Sequence, residues 1–299
     1  MRIITCIHGT NRLTSLMCIK YTGIAIVLKS VYCIYLPKNR IMKKLLNFSI
    51  IVLLIASCKQ AEKTSISMPG VYKMDEQSYK GGTTDTVIKD KTQVKLFSST
   101  HYVFAVLSSD STVSFGVGDY VQDGNILTSN NIFRPGILDS ARAVQIEVTQ
   151  TENGYSQHIP EILLSGVKYS MDEKYTRVST PNKSDLDGLW EQSKVLSVKG
   201  SDTTSMQYKQ YKMYQDGHFV FVHQYPNSET GKVSNGFGYG TFKLNGNSLE
   251  ETNSLSNYTS LIGIPISISI SMDGKDVYSQ TIVDTAQKVT TIEYYKRIK

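Results

Sequence analysis

The sequence predicts an all-β protein built from two tandem copies of one small antiparallel domain. Three observations predict it. No long stretch carries the 3.6-residue apolar spacing of an amphipathic helix. Short alternating runs bounded by Gly, Asn, Asp and Ser recur instead. One set of short motifs also occurs twice at matching separations, the mark of a duplicated unit.

The chain ahead of these copies has a different character. Lys43 and Lys44 precede a nearly unbroken apolar run from Leu45 to Ile55, and the small residues Ala56 and Ser57 stand before Cys58. Charge, apolar core and small residues in that order are the layout of a secretory signal, and the run is shorter than the roughly 20 apolar residues of a permanent membrane span. Ile55-Ala56-Ser57-Cys58 resembles the lipobox of bacterial lipoproteins, in which the cysteine receives lipid. The expected division is therefore residues 1–41 as a mis-assigned upstream extension that starts before the true Met42, and residues 42–57 as a lipoprotein signal peptide. Residues 58–67 follow as the lipidated cysteine and a polar tether. The alternatives are an ordinary signal peptide ending near a cysteine and a membrane segment around Ile19–Leu36, which Lys20 and Lys29 interrupt.

Cysteine and charge bear on the same division. Cys6, Cys18, Cys33 and Cys58 are the four cysteines, so a chain that begins at Cys58 has no thiol left for a disulfide or a CxxC metal site. Residues 1–57 hold eight of the 32 Lys and Arg and no acid; the remainder carries 24 basic against 26 acidic residues, a net of −2 rather than +6. The basic balance belongs to the leading part and gives no argument for a nucleic-acid partner.

The two copies are expected at 68–179 and 185–299, joined by the short polar linker 180–184 within Ser179–Ser184 (STPNKS). Gly70-Val71-Tyr72 answers Gly188-Leu189-Trp190, and His101-Tyr102-Val103-Phe104 answers His218-Phe219-Val220-Phe221. Phe115-Gly116-Val117-Gly118 answers Phe237-Gly238-Tyr239-Gly240, each ten residues before the asparagine of an Asp-Gly-Asn or Asn-Gly-Asn turn. Tyr155-Ser156-Gln157 answers Tyr278-Ser279-Gln280, and Tyr175-Thr176-Arg177 answers Tyr295-Lys296-Arg297. The clearest strand is Ile264 to Met272. There Ile266, Ile268, Ile270 and Met272 face one way and Ser267, Ser269 and Ser271 the other. Asp273-Gly274 then reads as a tight turn.

A Gly-x-Trp in the first strand with an Arg at the end of the last resembles the lipocalin-like, or calycin, family, and the whole chain is similar to short lipocalin-like lipoproteins of Bacteroidota type. The resemblance implies two small antiparallel β-barrels in tandem, each with one end closed by an aromatic ring under an arginine. Trp190 with Arg297, and Tyr72 with Arg177, would take those places, although Tyr72 departs from the family's tryptophan. An arginine over an aromatic face is worth roughly 0.5–2 kcal/mol. An immunoglobulin-like sandwich also fits short strands, but it does not explain the recurring terminal arginine.

Motifs for chemistry are few. Gly236-Phe237-Gly238-Tyr239-Gly240 does not open a helix, as a phosphate loop must; glycines in a strand serve barrel bends or close aromatic packing. His101 and His218 read as strand-entry residues at turns, and His158 and Glu161, flanking Pro160, read as a loop. Asp185 and Asp187 read as turn residues. No HExxH, no Gly-x-Ser-x-Gly elbow, no metal set and no cofactor motif is present.

An eight-stranded barrel is wide enough to be filled by side chains or to hold one small ligand. The expected lining is Phe104, Val106, Phe115, Phe221, Phe237, Tyr239, Ile266, Ile268 and Ile270; core packing is the plainer role for each of them. The expected protein is non-enzymatic, anchored in the cell envelope through lipid on Cys58, and binds a small apolar or amphipathic molecule. Lys59 after the cysteine implies outer-membrane delivery by resemblance to lipoprotein sorting. The alternatives are an adhesion or scaffold protein with filled barrels, and a small hydrolase or isomerase, for which Glu293 beside Tyr294 and Tyr295 is the residue to check. No protein partner can be read from the sequence.

Overall fold

The computed structural model describes residues 4–5, 17–18, 66–81, 85–88, 91–135, 143–164, 166–206, 208–226 and 231–299. The expected signal segment and Cys58 lie outside the described residues. The chain divides into two compact units, Met1–Glu62 and Lys63–Lys299. In the first, β1 (Ile4–Thr5) pairs with β2 (Met17–Cys18).

The second unit is two closed antiparallel β-barrels in tandem. The first comprises β3 (Gly70–Lys80), β4 (Thr86–Ile88), β5 (Lys91–Phe97), β6 (His101–Ser108), β7 (Val113–Asp123), β8 (Ile126–Phe133), β9 (Val144–Thr151), β10 (Gly154–Leu164) and β11 (Val167–Arg177). Each strand pairs with the next in an up-and-down order, and β11 returns to β3 to close the ring. β4 and β5 both pair with β3, one along each half of it, so they share one position and the barrel has eight. The second barrel repeats this plan with β12 (Gly188–Lys199), β13 (Asp202–Met206), β14 (Lys209–Gln215), β15 (His218–Pro226), β16 (Val233–Asn245), β17 (Ser248–Ser256), β18 (Pro265–Asp273), β19 (Val277–Asp284) and β20 (Val289–Arg297). Here β12–β20 is the closing pair. Closure leaves no long edge open to another chain.

Turn chemistry sets the register. Gly124, Gly246 and Gly274 all take positive φ between hydrogen-bonded strands, which glycine adopts without steric cost. His158 and Glu161, expected in a loop around Pro160, lie on strand β10 instead. A register irregularity between Ile159 and Ile162 accommodates the proline, as a bulge does where a ladder donor is missing.

The sequence places an apolar residue on both faces of several strands, and the structure uses both. Inward-facing residues fill the barrels. Outward-facing residues of one barrel pack against those of the other in a single core: Val71, Val94, Leu96, Val103, Ala105, Val113, Phe115 and Val117 meet Leu189, Tyr211, Met213, Val220, Val222, Phe237 and Tyr239. This seam joins corresponding strands, β5 to β14 and β7 to β16. At its edge, Phe133 lies 5.7 Å from Tyr211 with Lys209 Nζ 4.5 Å above the Phe133 ring. The Asn235 side chain donates to the Val113 carbonyl at 3.1 Å. The segment after β11 is pinned as well: Asp216, in the β14–β15 turn, accepts from Arg177 Nη2 at 3.2 Å and from Ser179 Oγ at 3.0 Å.

Phe237 is fully buried in this seam, so Phe237→Ala should cost about 3–5 kcal/mol, the range for deleting a buried phenyl ring. Chemical denaturation checks it; a loss under about 1 kcal/mol would mean the seam is not packed as described.

Candidate functional site

Both barrels are closed at the end where the Gly-x-aromatic motif lies. Arg297 faces Trp190 across the β12–β20 ladder, with its guanidinium 4.1 Å from the indole centroid. The same guanidinium donates to the Asp185 carbonyl at 2.7 Å, to the Asp187 carbonyl and to the Lys275 carbonyl at 2.9 Å. It thereby ties the strand entry and the β18–β19 turn beneath the ring. Trp190 Nε1 donates to the Leu186 carbonyl at 2.7 Å, so the buried indole has its partner. Gly188 takes φ +122°, and a Cβ there would press on Arg297; the glycine two places before the aromatic is what admits the arginine. In the first barrel Arg177 faces Tyr72 at 5.9 Å, and Gly70 at φ +152° plays the part of Gly188. That arginine lies farther from its ring, and its Nη2 pairs with Asp216 of the other barrel at 3.2 Å.

Above each floor lies a buried polar layer that repeats. In the first barrel, Glu173 accepts from Gln77, Gln157 and Tyr175, while Gln93 donates to Tyr175. In the second, Glu293 accepts from Gln280 at 2.5 Å, from Tyr295 at 2.7 Å and from Tyr208 at 3.0 Å, and Gln210 donates to Tyr295. Lys95 and Lys212 occupy matching places beside Tyr72 and Trp190, but their partners differ. Lys95 has Glu173 at 3.9 Å, and burial pushes its ammonium down to about 8 because desolvation penalises the charged form. Lys212 has Glu251 at 2.8 Å, where the first barrel carries Ser129. Removing one member of such a buried pair costs about 3–5 kcal/mol.

His223 extends the second layer toward the open end. Its Nδ1 meets Gln210 Oε1 at 3.0 Å and its Nε2 meets the Tyr258 hydroxyl at 2.6 Å. Since Gln210 offers an acceptor there, Nδ1 carries the proton and Nε2 accepts. Burial lowers the imidazole to about 4. No group of three His, Cys, Asp or Glu suited to a metal forms among the described residues.

Between this layer and the open end is a cavity of about 640 Å³. Its walls include Phe221, Ile266, Ile268 and Ile282, and its polar side includes Gln210, Lys212, His223, Glu251, Asn253, Gln280 and Glu293. Of the expected lining, Phe221, Ile266 and Ile268 stand here. Ile270 faces the same lumen but packs into the closed end with Trp190, Tyr278 and Tyr295. Phe104 packs at the margin of the first barrel's aromatic core. Phe115, Phe237 and Tyr239 are corrected: they point outward into the seam, while the glycines between them face inward. A Cβ on Gly116 would collide with the Phe104 ring, and one on Gly238 with the Phe221 ring. The glycine-aromatic stretch therefore serves both sides of one strand. Of the polar lining only Glu293 was singled out from the sequence; Gln210, Lys212, Glu251 and Gln280 were missed, and the repetition of Gln157 and Glu173 as Gln280 and Glu293 was a signal for part of the set.

No family model matches the chain, and no curated protein does. A solved structure from Nostoc punctiforme, a protein of unknown function from the DUF3598 family, is similar over 77% of this chain and 96% of its own, at 10% identity and a TM-score of 0.25. A likeness that slight carries no argument about this chain.

The His223 pKa gives a signed pH dependence. Between the ordinary value of 6.5 and about 4, the unfolded chain takes up a proton that the folded chain refuses, so stability falls as pH falls through that window by up to about 3 kcal/mol. Asp187, pushed up to about 6 by burial, acts in the opposite sense. The difference between wild type and His223→Gln isolates the histidine; denaturation curves at pH 7 and pH 4.5 should show the variant losing less. Equal losses would overturn the assignment.

Proposed function

We propose that this protein is a membrane-anchored, extracytoplasmic carrier whose second barrel holds one small amphipathic molecule and catalyses no reaction. The observation that carries the reading is the cavity of about 640 Å³ within a closed barrel. That volume falls within the roughly 300–1,000 Å³ of small-molecule sites. Phe221, Ile266, Ile268 and Ile282 offer an apolar wall, and the layer around Glu293 offers a polar end. The carboxylates there are held by neighbouring donors, an arrangement suited to recognition. The lipobox-like Ile55–Cys58 supports lipid attachment at Cys58, and Lys59 supports outer-membrane delivery. Several acyl chains, each contributing about 0.8 kcal/mol per buried CH2, would hold the domains at the membrane.

Native mass spectrometry of the full chain taken from its own envelope should show a discrete added mass that is lost on denaturation. Ile266→Trp, which fills the cavity, should remove that mass while leaving the folded charge-state distribution. A ligand-free mass for both proteins would overturn the carrier reading in favour of a scaffold. Separately, Cys58→Ala should release the chain from membranes; unchanged fractionation would end the lipoprotein reading.

A further inference from the structure

The two barrels share one plan, so a difference between their lumens is informative. In the first, the formal charges are those of Lys95, Glu173 and Arg134. The Arg134 guanidinium lies 5.5 Å over the Phe104 ring, and its field reaches both Lys95 and Glu173. In the second, the lumen holds Lys212, Glu251 and Glu293, one formal negative charge in excess. The strand register places Ser256 where the first barrel has Arg134, and Ser256 turns away to donate to the Phe237 carbonyl at 2.7 Å. The ring that corresponds to Phe104 is Phe221, and it borders open cavity. Among the described residues, an arginine thus stands above one polar layer and a serine takes its position above the other.

A further feature points the same way. Tyr208, Phe221, Tyr225 and Tyr258 line the same space around His223, whose ring lies 5.3–5.7 Å from each of theirs. Aromatic faces clustered beside carboxylates attract an ammonium both through their quadrupoles and through charge. An anionic head group would meet Glu251 and Glu293 with only Lys212 to receive it, and Glu251 already engages that lysine at 2.8 Å.

We infer that the second barrel selects an amphipathic organic cation, with its protonated amine among Glu251, Glu293 and the tyrosine rings and its apolar part along Phe221 and Ile268. This deepens the carrier reading and rests on it. The test uses the full chain in lipid nanodiscs, with protein-free nanodiscs subtracted, titrated by saturation-transfer NMR with hexylammonium, hexanol and hexanoate. The three share an apolar tail and differ in head charge. Hexylammonium should bind at least tenfold more tightly than hexanol, with hexanoate weakest. In Glu293→Gln the ratio of the hexylammonium to the hexanol Kd should move to near one. Comparable binding of all three by wild type, or a preference for hexanoate, would overturn the cation inference and leave the carrier intact. Binding of none would overturn both, and an unchanged ratio in both Glu293→Gln and Glu251→Gln would overturn the role given to the carboxylates.

Discussion

Burial of both faces of the same strands is the constraint on which the rest of this structure depends. A small barrel ordinarily turns one face of each strand to its own lumen and the other to water. Here β5–β7 and β14–β16 have no such solvent face along much of their length, because each barrel is the other's cover. The choice of side chains follows from that. Val94, Leu96, Val103 and Ala105 are compact and interlock with Met213, Val220 and Val222 in the seam, while the bulkier Phe104 and Phe221 lie inward over glycines. One strand supplies large residues outward and hydrogen atoms inward; its neighbour does the reverse. The glycines cost backbone entropy, and packing of the facing rings offsets that cost.

The seam also breaks the equality of the two copies. Arg177 and Arg297 begin from the same position, yet Asp216 sits at the barrel junction and takes part of the Arg177 charge. Arg297 has Asp276 at 3.7 Å yet lies closer on its ring, with carbonyl partners on both sides of the barrel floor. Inside the lumens, single exchanges have larger effects. Glu251 in place of Ser129 gives Lys212 a contact ion pair that Lys95 lacks, and it reverses the formal charge balance together with the exchange of Arg134 for Ser256. Low dielectric magnifies such exchanges, so a shared backbone holds two chemically distinct interiors.

Much of the architecture was legible in the chain because it rests on local rules. The all-β class followed from period-two alternation, and the tandem arrangement from motifs that recur with matched gaps. Turns at Asp123-Gly124, Asn245-Gly246 and Asp273-Gly274 followed from glycine's access to positive φ. The pairing of each opening aromatic with a terminal arginine came from a resemblance, and the structure supplies its geometry: the glycine two places earlier leaves room for the guanidinium. In the site, Ile266 and Ile268 were legible because the opposite face of β18 is serine, which left no doubt about direction. His158 and Glu161 were misread as loop residues, since strand β10 carries Pro160 at an irregularity that only its neighbours stabilise.

By itself, then, the sequence determined the class, the duplication, the turns and the residues available to each face of each strand. For the strands that are apolar on both faces, tertiary structure alone decided which face is inside. Alternation states that Phe237 and Gly238 point in opposite directions, and the usual rule that the apolar face is the inner one would put Phe237 in the lumen. That rule needs a solvent face to contrast with, and the seam removes it. Apart from Glu293, the polar layer escaped for a related reason: Gln280, Lys212 and Glu251 lie apart from it in the chain, and only barrel closure brings them around one cavity, where each can satisfy a neighbour that would be costly to bury alone.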